Sequence, residues 1–471
     1  MRIVRVAANA FNGLGHDEIA AIHRNVLRIL AEVGMLVESP DLLGALADFG
    51  GTVDRATQTV RFSPAFVERF LAESERFDWD QATPQVTARA GVYLGYYHVP
   101  GTDRLEPWTL PYLLDYFHVA KRLEHIGGAG LLGCPLGVPA YLEPLYERLY
   151  AWKYGAEEHG TIQVTECCPY ILEMTAIYAD AIGQPLADVF RGTVYLASPL
   201  RLARNEAEQV AYFWKQGLRV RIGNMLSAGG TAPVTLAGAV TLNLAEQLLI
   251  NLIERALFGE RRLHLSCSIS VLDMSTLIYP YGRPEMAITN LMTAQLARFY
   301  GASFHGHCGL ADAKLPSVEA GAQKALTAIP TLLLGGSAHL DAGLLSIDQV
   351  FSPIQMILDN EFIGALRCFA REYRVDDEVI GFDVIRELGP GKIFLETEHT
   401  ARFFRSEHWQ PRVWSRQMVE PWMRDGRRLD VDFALERYRE IVARSPEPPR
   451  LSERVERDLL AVIESARQRF G

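Results

Sequence analysis

His305 and His307 stand two residues apart in the run ASFHGHCGL. On an extended strand alternate residues share a face, so both imidazoles should point the same way. Imidazole can hold an anionic group or orient a reacting one near neutral pH, and its plain alternative use is a structural bond to a backbone carbonyl. Asp312 and Lys314 follow in GLADAKLP, in what reads as the loop after that strand. A polar residue there can bind a ligand or form a surface ion pair of little consequence. Aromatic residues gather near other expected strand ends: Tyr93, Tyr96, Tyr97, Tyr195, Tyr279, Tyr281 and Phe304. A quaternary ammonium donates no hydrogen bond and is held by ring faces, although core packing is the ordinary use of such rings. Tyr97, Tyr195, Tyr279 and Phe304 are the aromatic candidates for a cage, and His305, His307 and Asp312 the polar candidates for the same substrate site.

His305, His307, Cys267 and Cys308 are residue types that zinc takes, but His307 and Cys308 are adjacent and must point to opposite faces of a strand. No bound metal is expected. There is no GxxxxGK[ST] loop, and Gly229-Gly230 and Gly335-Gly336 are isolated pairs. No nucleophilic triad or carboxylate dyad stands out, so no catalytic residue is assigned.

The elements that must position these residues begin with a helical cap. Asp17 to Val33 reads as a helix stopped by Gly34, Pro40–Phe49 as a second, Thr59–Phe62 as a strand, and Ser63-Pro64 as the start of another helix. Short apolar runs then alternate with helical stretches. The runs are Gly130–Cys134, Thr161–Thr165, Thr193–Ala197, Val220–Met225, Leu263–Ser268, Ala302–Gly306 and Ser337–Leu340, with Gly91–Tyr97 or Lys392–Glu396 as the eighth. The stretches include 203–216, 237–258, 286–300 and 318–333. Strand followed by helix, repeated, is the pattern of a parallel sheet with crossover helices, and seven or eight repeats favour an α/β TIM (β/α)8 barrel with its site at the carboxyl ends of the strands. The expected division is a cap at 1–88, a barrel at 89–400 and a helical extension at 401–471.

The 471 residues carry a net charge of −10 with no basic stripe, which argues against a nucleic-acid partner. The N-terminal MRIVRVAANAFNG lacks an apolar core after a charged start, and the apolar region 325–345 is broken by Pro330, His339 and Asp341; neither a signal peptide nor a membrane span is expected, and the protein should be cytoplasmic. Six cysteines without a CxxC pair fit buried thiols better than disulfides.

Several motifs in order resemble the trimethylamine methyltransferase family along nearly the whole chain. The stretch GGTAPVTLAGAVTLNLAE at 229–246 is the most specific. VLRILAEVGMLVESPDLLGALADFGGTVD, Ser198-Pro199-Leu200, GRPE at 282–285, GLADAKLPSVEAGAQKAL at 309–326, DNEFIG at 359–364 and EHTARFFRSEHWQPR at 398–412 support it. The resemblance implies a TIM barrel that moves a methyl group from a small methylated amine to a Co(I) corrinoid carried by another protein. The founding members contain pyrrolysine. This chain has only standard residues and so is similar to the other branch, that of the glycine betaine:corrinoid methyltransferases. A quaternary ammonium leaves as a neutral tertiary amine, so no general acid is required, and the protein's task is to position one methyl and exclude water. Two other readings remain at this stage: a zinc- or folate-dependent methyltransferase on the same barrel, and a non-catalytic betaine-binding protein. The oligomeric state is open, a homo-oligomer included.

Overall fold

The structure is a computed structural model that describes residues 2–4, 13–82, 85–91, 95–131, 135, 137–156, 160–333 and 337–470. Its N-terminal region follows local chemistry closely. Helix His16–Arg28 runs on as a wider turn over Ile29–Val33 and stops at Gly34. That glycine has φ +77°, and a Cβ on it would stand 2.3 Å from the Val60 carbonyl oxygen, so no other residue fits the turn. Ser39 and Ser63 accept from the backbone N–H groups of Leu42 and Phe66, with proline next in line, and start helices Pro40–Phe49 and Pro64–Ala72. Leu30, Met35, Leu42, Leu46, Val60 and Phe62 from these elements enter one core with the strands and helices that follow.

From residue 86 onward the neighbouring strands of the main sheet run parallel. Val86–Ala90 pairs with Ser337–Ala342, which pairs with Ser303–Cys308, which pairs with His264–Cys267. Ile269–Val271 continues that strand and pairs with Leu226–Ala228. Arg221–Gly223 pairs with Thr193–Tyr195, and single bridges add Thr161 beside Thr193 and Ala129 beside Ala90. Helices Arg204–Lys215, Leu236–Phe258, Pro284–Tyr300 and Val318–Leu333 make crossovers, and Pro353–Ala370 follows the last strand of the main sheet. The fold is therefore mixed α/β, with repeated parallel β/α units.

Burial alternates along the strands. Ala88, Ala90, Leu265, Cys267, Phe304, Cys308, Ala338, Leu340 and Ala342 are buried in the two apolar cores that the helices share. Thr87, Arg89, His264, Ser266, His305, His307, Ser337, His339 and Asp341 occupy the other face, and all keep some exposure to water. A parallel sheet covered by helices on both faces would be apolar on both; this one turns a polar, histidine-rich face away from its helices.

The strand beside Ser337–Ala342 is Val86–Ala90, just before the run Gly91–Tyr97, of which residues 92–94 lie outside the described residues, whereas Lys392–Glu396 forms no strand and Tyr96–His98 joins a separate sheet. Alternating Thr87 and Arg89 hid the strand from a search for apolar runs. Leu132–Cys134 and Tyr93 lie outside the described residues. Helix Leu236–Phe258 is apolar and long enough to cross a membrane, but 78% of its apolar window is buried in the protein, where Asn243, Gln247 and Asn251 bond to the Ser266 carbonyl, the Ser266 hydroxyl and the His264 carbonyl. The C-terminal helices fold back: Asp430–Val442 packs on Pro353–Ala370 and Leu110–Ala120, and Glu453–Phe470 on Glu143–Tyr154 and Cys168–Ile182.

Candidate active site

Three loops that follow the carboxyl ends of neighbouring strands are tied together. The carboxylate of Asp312 accepts from the backbone N–H of Tyr281 at 2.6 Å and of Gly282 at 3.0 Å. The N–H groups of Ser346 and Ile347 donate to the carbonyls of Ala313 and Ala311. Ser346, Ile347 and Asp348 hold φ of 52°, 57° and 66°, a run of left-handed residues that includes a β-branched one. Such conformations cost on the order of 1–3 kcal/mol each and persist only where surrounding structure imposes them. The result aims Asp348 at the strand ends, where Tyr281 is hydrogen-bonded to it.

Below that loop Asp341 stands between two imidazoles, 3.6 Å from His307 Nε2 and 3.7 Å from His339 Nε2. His339 Nδ1 meets the Thr87 hydroxyl at 3.0 Å. Burial alone would raise the Asp341 carboxyl, but the facing His307 and His339 hold it well below the usual range. Burial likewise opposes a charge on His307, and Asp341, with Asp348, overcomes it and raises that imidazole. Asp348 is pushed up to about 6, chiefly by burial and then by the Asp341 charge, against the pull of His307, Tyr281 and Lys324. The edge of Tyr281 meets the His307 ring at 5.8 Å, and Tyr279 meets Tyr281 at 5.6 Å. This end of the polar face thus joins carboxylates to aromatic rings, a combination suited to a small organic cation.

One step down the strands the chemistry reverses. His305 lies 5.5 Å from the His339 ring and 6.5 Å from the His264 ring. Burial lowers His305 to about 3, and the charges of His339, His264, His307 and Arg221 all press the same way. No hydrogen bond reaches the His305 ring among the described residues.

The expected residues divide accordingly. His305 and His307 do share a face, and Tyr279 and Asp312 belong to the same loop assembly, Asp312 as the bracket that fixes Tyr281. The Tyr279 hydroxyl donates to the Ser268 carbonyl at 2.7 Å. Tyr195 lies across Gly223, 56% exposed, on the side opposite buried Val194. Phe304 points the other way, into the helix core, because it alternates with His305. Tyr97 is stacked 4.0 Å from Tyr112 within an aromatic group that includes Trp108 and Phe351, and its hydroxyl donates to Asp115. These two rings are not brought to the histidines. Lys314 bonds the Asp312 carbonyl.

Asp348, His264 and Arg221 escaped the sequence reading. Asp348 sits in a loop whose special backbone nothing in the residue types announces, and His264 and Arg221 lie at the amino ends of their strands, away from where barrel sites are sought. The stretch 229–246 proves to be a support. Glu246 accepts from Ser198 Oγ, Leu200 N and Asn224 Nδ2 at 2.9, 2.7 and 2.8 Å, which ties the 198–200 loop and the link after strand Arg221–Gly223 to helix Leu236–Phe258.

A parallel β/α enzyme with a small-molecule site at the carboxyl ends of its strands is the class these features define. The family model for trimethylamine methyltransferase matches residues 159–471, and the chain belongs to that family; it is a methyltransferase. The glycine betaine methyltransferase of Desulfitobacterium hafniense strain Y51 is 27% identical, covering 98% of both chains. The trimethylamine methyltransferase of Desulfitobacterium hafniense strain DSM 10664 / DCB-2 is 24% identical over 100% of this chain and 97% of its own. The crystal structure of the Methanosarcina barkeri monomethylamine methyltransferase matches with a TM-score of 0.44 at 10% identity, over 96% of this chain and 91% of that one.

Proposed function

We propose that this enzyme takes a methyl group from a quaternary amine that also bears a carboxylate, and delivers it to the Co(I) corrinoid of a partner protein, on strands closed into an eight-stranded barrel. The observation that carries the reading is the polarity of the strand face: Asp341, Asp348 and Tyr281 at the carboxyl ends, and the unbonded His305 beneath them. The trimethylammonium head lies against Tyr281 and Tyr279 with a carboxylate nearby, where cation–π contacts contribute about 0.5–2 kcal/mol each. The carboxylate tail meets His305, where a charge-assisted hydrogen bond contributes roughly 1.5–3 kcal/mol.

In this arrangement the protein orients and desolvates. Tyr279 and Tyr281 shield the head from water, and the tail contact keeps one methyl turned outward toward the loops. The corrinoid supplies the nucleophile when its carrier is docked. The rim fits such a carrier, since Met225, Val234, Met274 and Leu277 present 45, 62, 62 and 71% of their surface there. A neutral amine departs without a proton, so the step requires no general acid.

The test supplies Co(I) cobalamin and follows methylcobalamin spectroscopically with glycine betaine, longer betaines, choline and trimethylamine. Methylation by a carboxylated quaternary amine is expected. Methylation by trimethylamine alone would overturn the reading.

A further inference from the structure

Three side chains at the lower end of the polar face, His264, His305 and Arg221, have no part in holding the cation. His264 pairs in register with Ser303, two residues before His305. Its Nδ1 lies 2.9 Å from the Ser303 hydroxyl, which leaves Nε2 facing the open side. Arg221 is in register with Thr193, and Tyr195 two residues on lies over Gly223, so Arg221 shares the face that Tyr195 occupies. It is exposed, and its charge is felt at both His264 and His305. Arg221 also faces Glu254, but Arg219 already takes that carboxylate at 2.5 Å. The largest charge effects on His264 and His305 come from Arg221 and from neighbouring imidazoles, not from a carboxylate.

We infer that Arg221, His264 and His305 form a deep oxyanion site, and that it selects methyl donors whose carboxylate lies several carbons from the ammonium. The inference rests on the reading above and deepens it. One arginine and two protonatable imidazoles share one water-accessible face, no carboxylate bonds to them among the described residues, and one imidazole has both ring nitrogens unbonded. An anion there gains charge-assisted hydrogen bonds from all three. Burial, with neighbouring imidazoles and Arg221, holds both histidines neutral, His264 near 4 and His305 near 3; a bound carboxylate reverses that balance, so binding draws protons from solution.

The geometry sets the length. The acidic end is centred on Asp341, which contacts His339, and the His339 ring is 5.5 Å from His305, with His264 a further 6.5 Å ring-to-ring step. An extended chain gains about 1.2 Å per bond. A donor with one carbon between nitrogen and carboxyl spans too little to reach His305 while its head stays beside Asp341. Three or more intervening carbons bridge the gap and bring the carboxylate toward Arg221.

Calorimetry with ω-trimethylammonium carboxylates of one to five methylenes, and with tetramethylammonium, tests this on the full chain. Affinity should rise about tenfold or more between one and three methylenes, with proton uptake visible as a dependence of the heat on buffer ionisation enthalpy. Arg221→Gln and His305→Gln should each weaken the long donors by about tenfold while leaving tetramethylammonium within about twofold. If tetramethylammonium binds but chain length and both variants have no effect, the deep site is wrong and the His305 tail contact falls with it, while the aromatic and carboxylate site for the ammonium head stands. If no quaternary ammonium binds, the parent reading fails and this one with it. The length series needs no variant, so misfolding of a substituted chain cannot obscure the outcome.

Discussion

Asp341 occupies His307: the carboxylate oxygen Oδ2 lies 3.6 Å from Nε2, and the two side chains shift each other's protonation toward the charged pair. The histidine that looks equivalent to His305 in sequence therefore has a different task. In the proposed function it holds Asp341 for a cation, whereas His305 is left for an anion.

The two histidines should consequently give different variants. His307→Gln should weaken every quaternary amine by about tenfold, carboxylated or not, because a charge-assisted contact that orders Asp341 is lost. His305→Gln should discriminate strongly in favour of uncarboxylated ligands. Titration of both variants with choline and a long betaine measures the contrast. The same pattern of loss in both would show that the division between them is mistaken.

Asp348 predicts a pH dependence. Its pKa is raised to about 6, so the carboxylate that attracts the cationic head is neutralised as pH falls through that value. Affinity for tetramethylammonium should drop by about fivefold to tenfold between pH 7 and 5, the amount one protonation imposes. The groups that face Asp348 are His307, Asp341, Tyr281 and Lys324. Of these, His307 repels a cation when protonated and contributes in the same direction. Asp348→Asn should remove most of the slope and leave only the part due to His307. A profile as steep in the variant as in the parent would exclude Asp348 from the site.

Much of this molecule was legible in the sequence, for identifiable reasons. Apolar runs followed by periodic helices located most of the parallel units, and serine–proline pairs marked helix starts at Ser39 and Ser63. The period of two placed His305 and His307 on one face. The same period should have sent Phe304 to the other, since it lies between Ser303 and His305, and aromatic character alone overrode that argument. Tyr97 shows a different limit. Its ring chemistry suits a cage, but its partners Tyr112, Asp115 and Phe351 come from segments that only the tertiary fold brings together. The left-handed run at Ser346–Asp348 is imposed by backbone bonds to Ala311 and Ala313, so no local residue preference could disclose it.

Phe304→Leu should now act on stability and not on binding. Its ring is 5% exposed within the core formed with the helices, and the smaller side chain costs about 1–2 kcal/mol through lost burial and incomplete repacking. Denaturant midpoints should fall while betaine affinity stays within about twofold. A selective loss of affinity without loss of stability would return this residue to the cage.

A buried ion pair lies behind the loop that carries Asp348. Lys324 Nζ donates to Asp359 Oδ2 at 2.9 Å, and the two side chains are 1% and 4% exposed. Asp359 also accepts from the Gly343 N–H and the Gln355 amide, each at 2.8 Å. Gly343 follows the strand that carries Asp341 and opens the turn toward Asp348, so the pair anchors the start of the loop that aims Asp348. Lys324→Met removes the cation and leaves a buried carboxylate with two neutral donors, which should cost about 3–5 kcal/mol. Asp359→Asn in the Lys324→Met background removes the stranded charge and keeps an acceptor for the Gly343 N–H, so the double variant should recover part of that loss. Equilibrium denaturation of the parent, both single variants and the double variant closes the cycle. Affinity for tetramethylammonium should fall with Lys324→Met and return in part with the second substitution, because both follow the position of the Gly343 turn. A single-variant loss below about 1 kcal/mol would mean that water reaches Asp359 and that the pair does not anchor the loop.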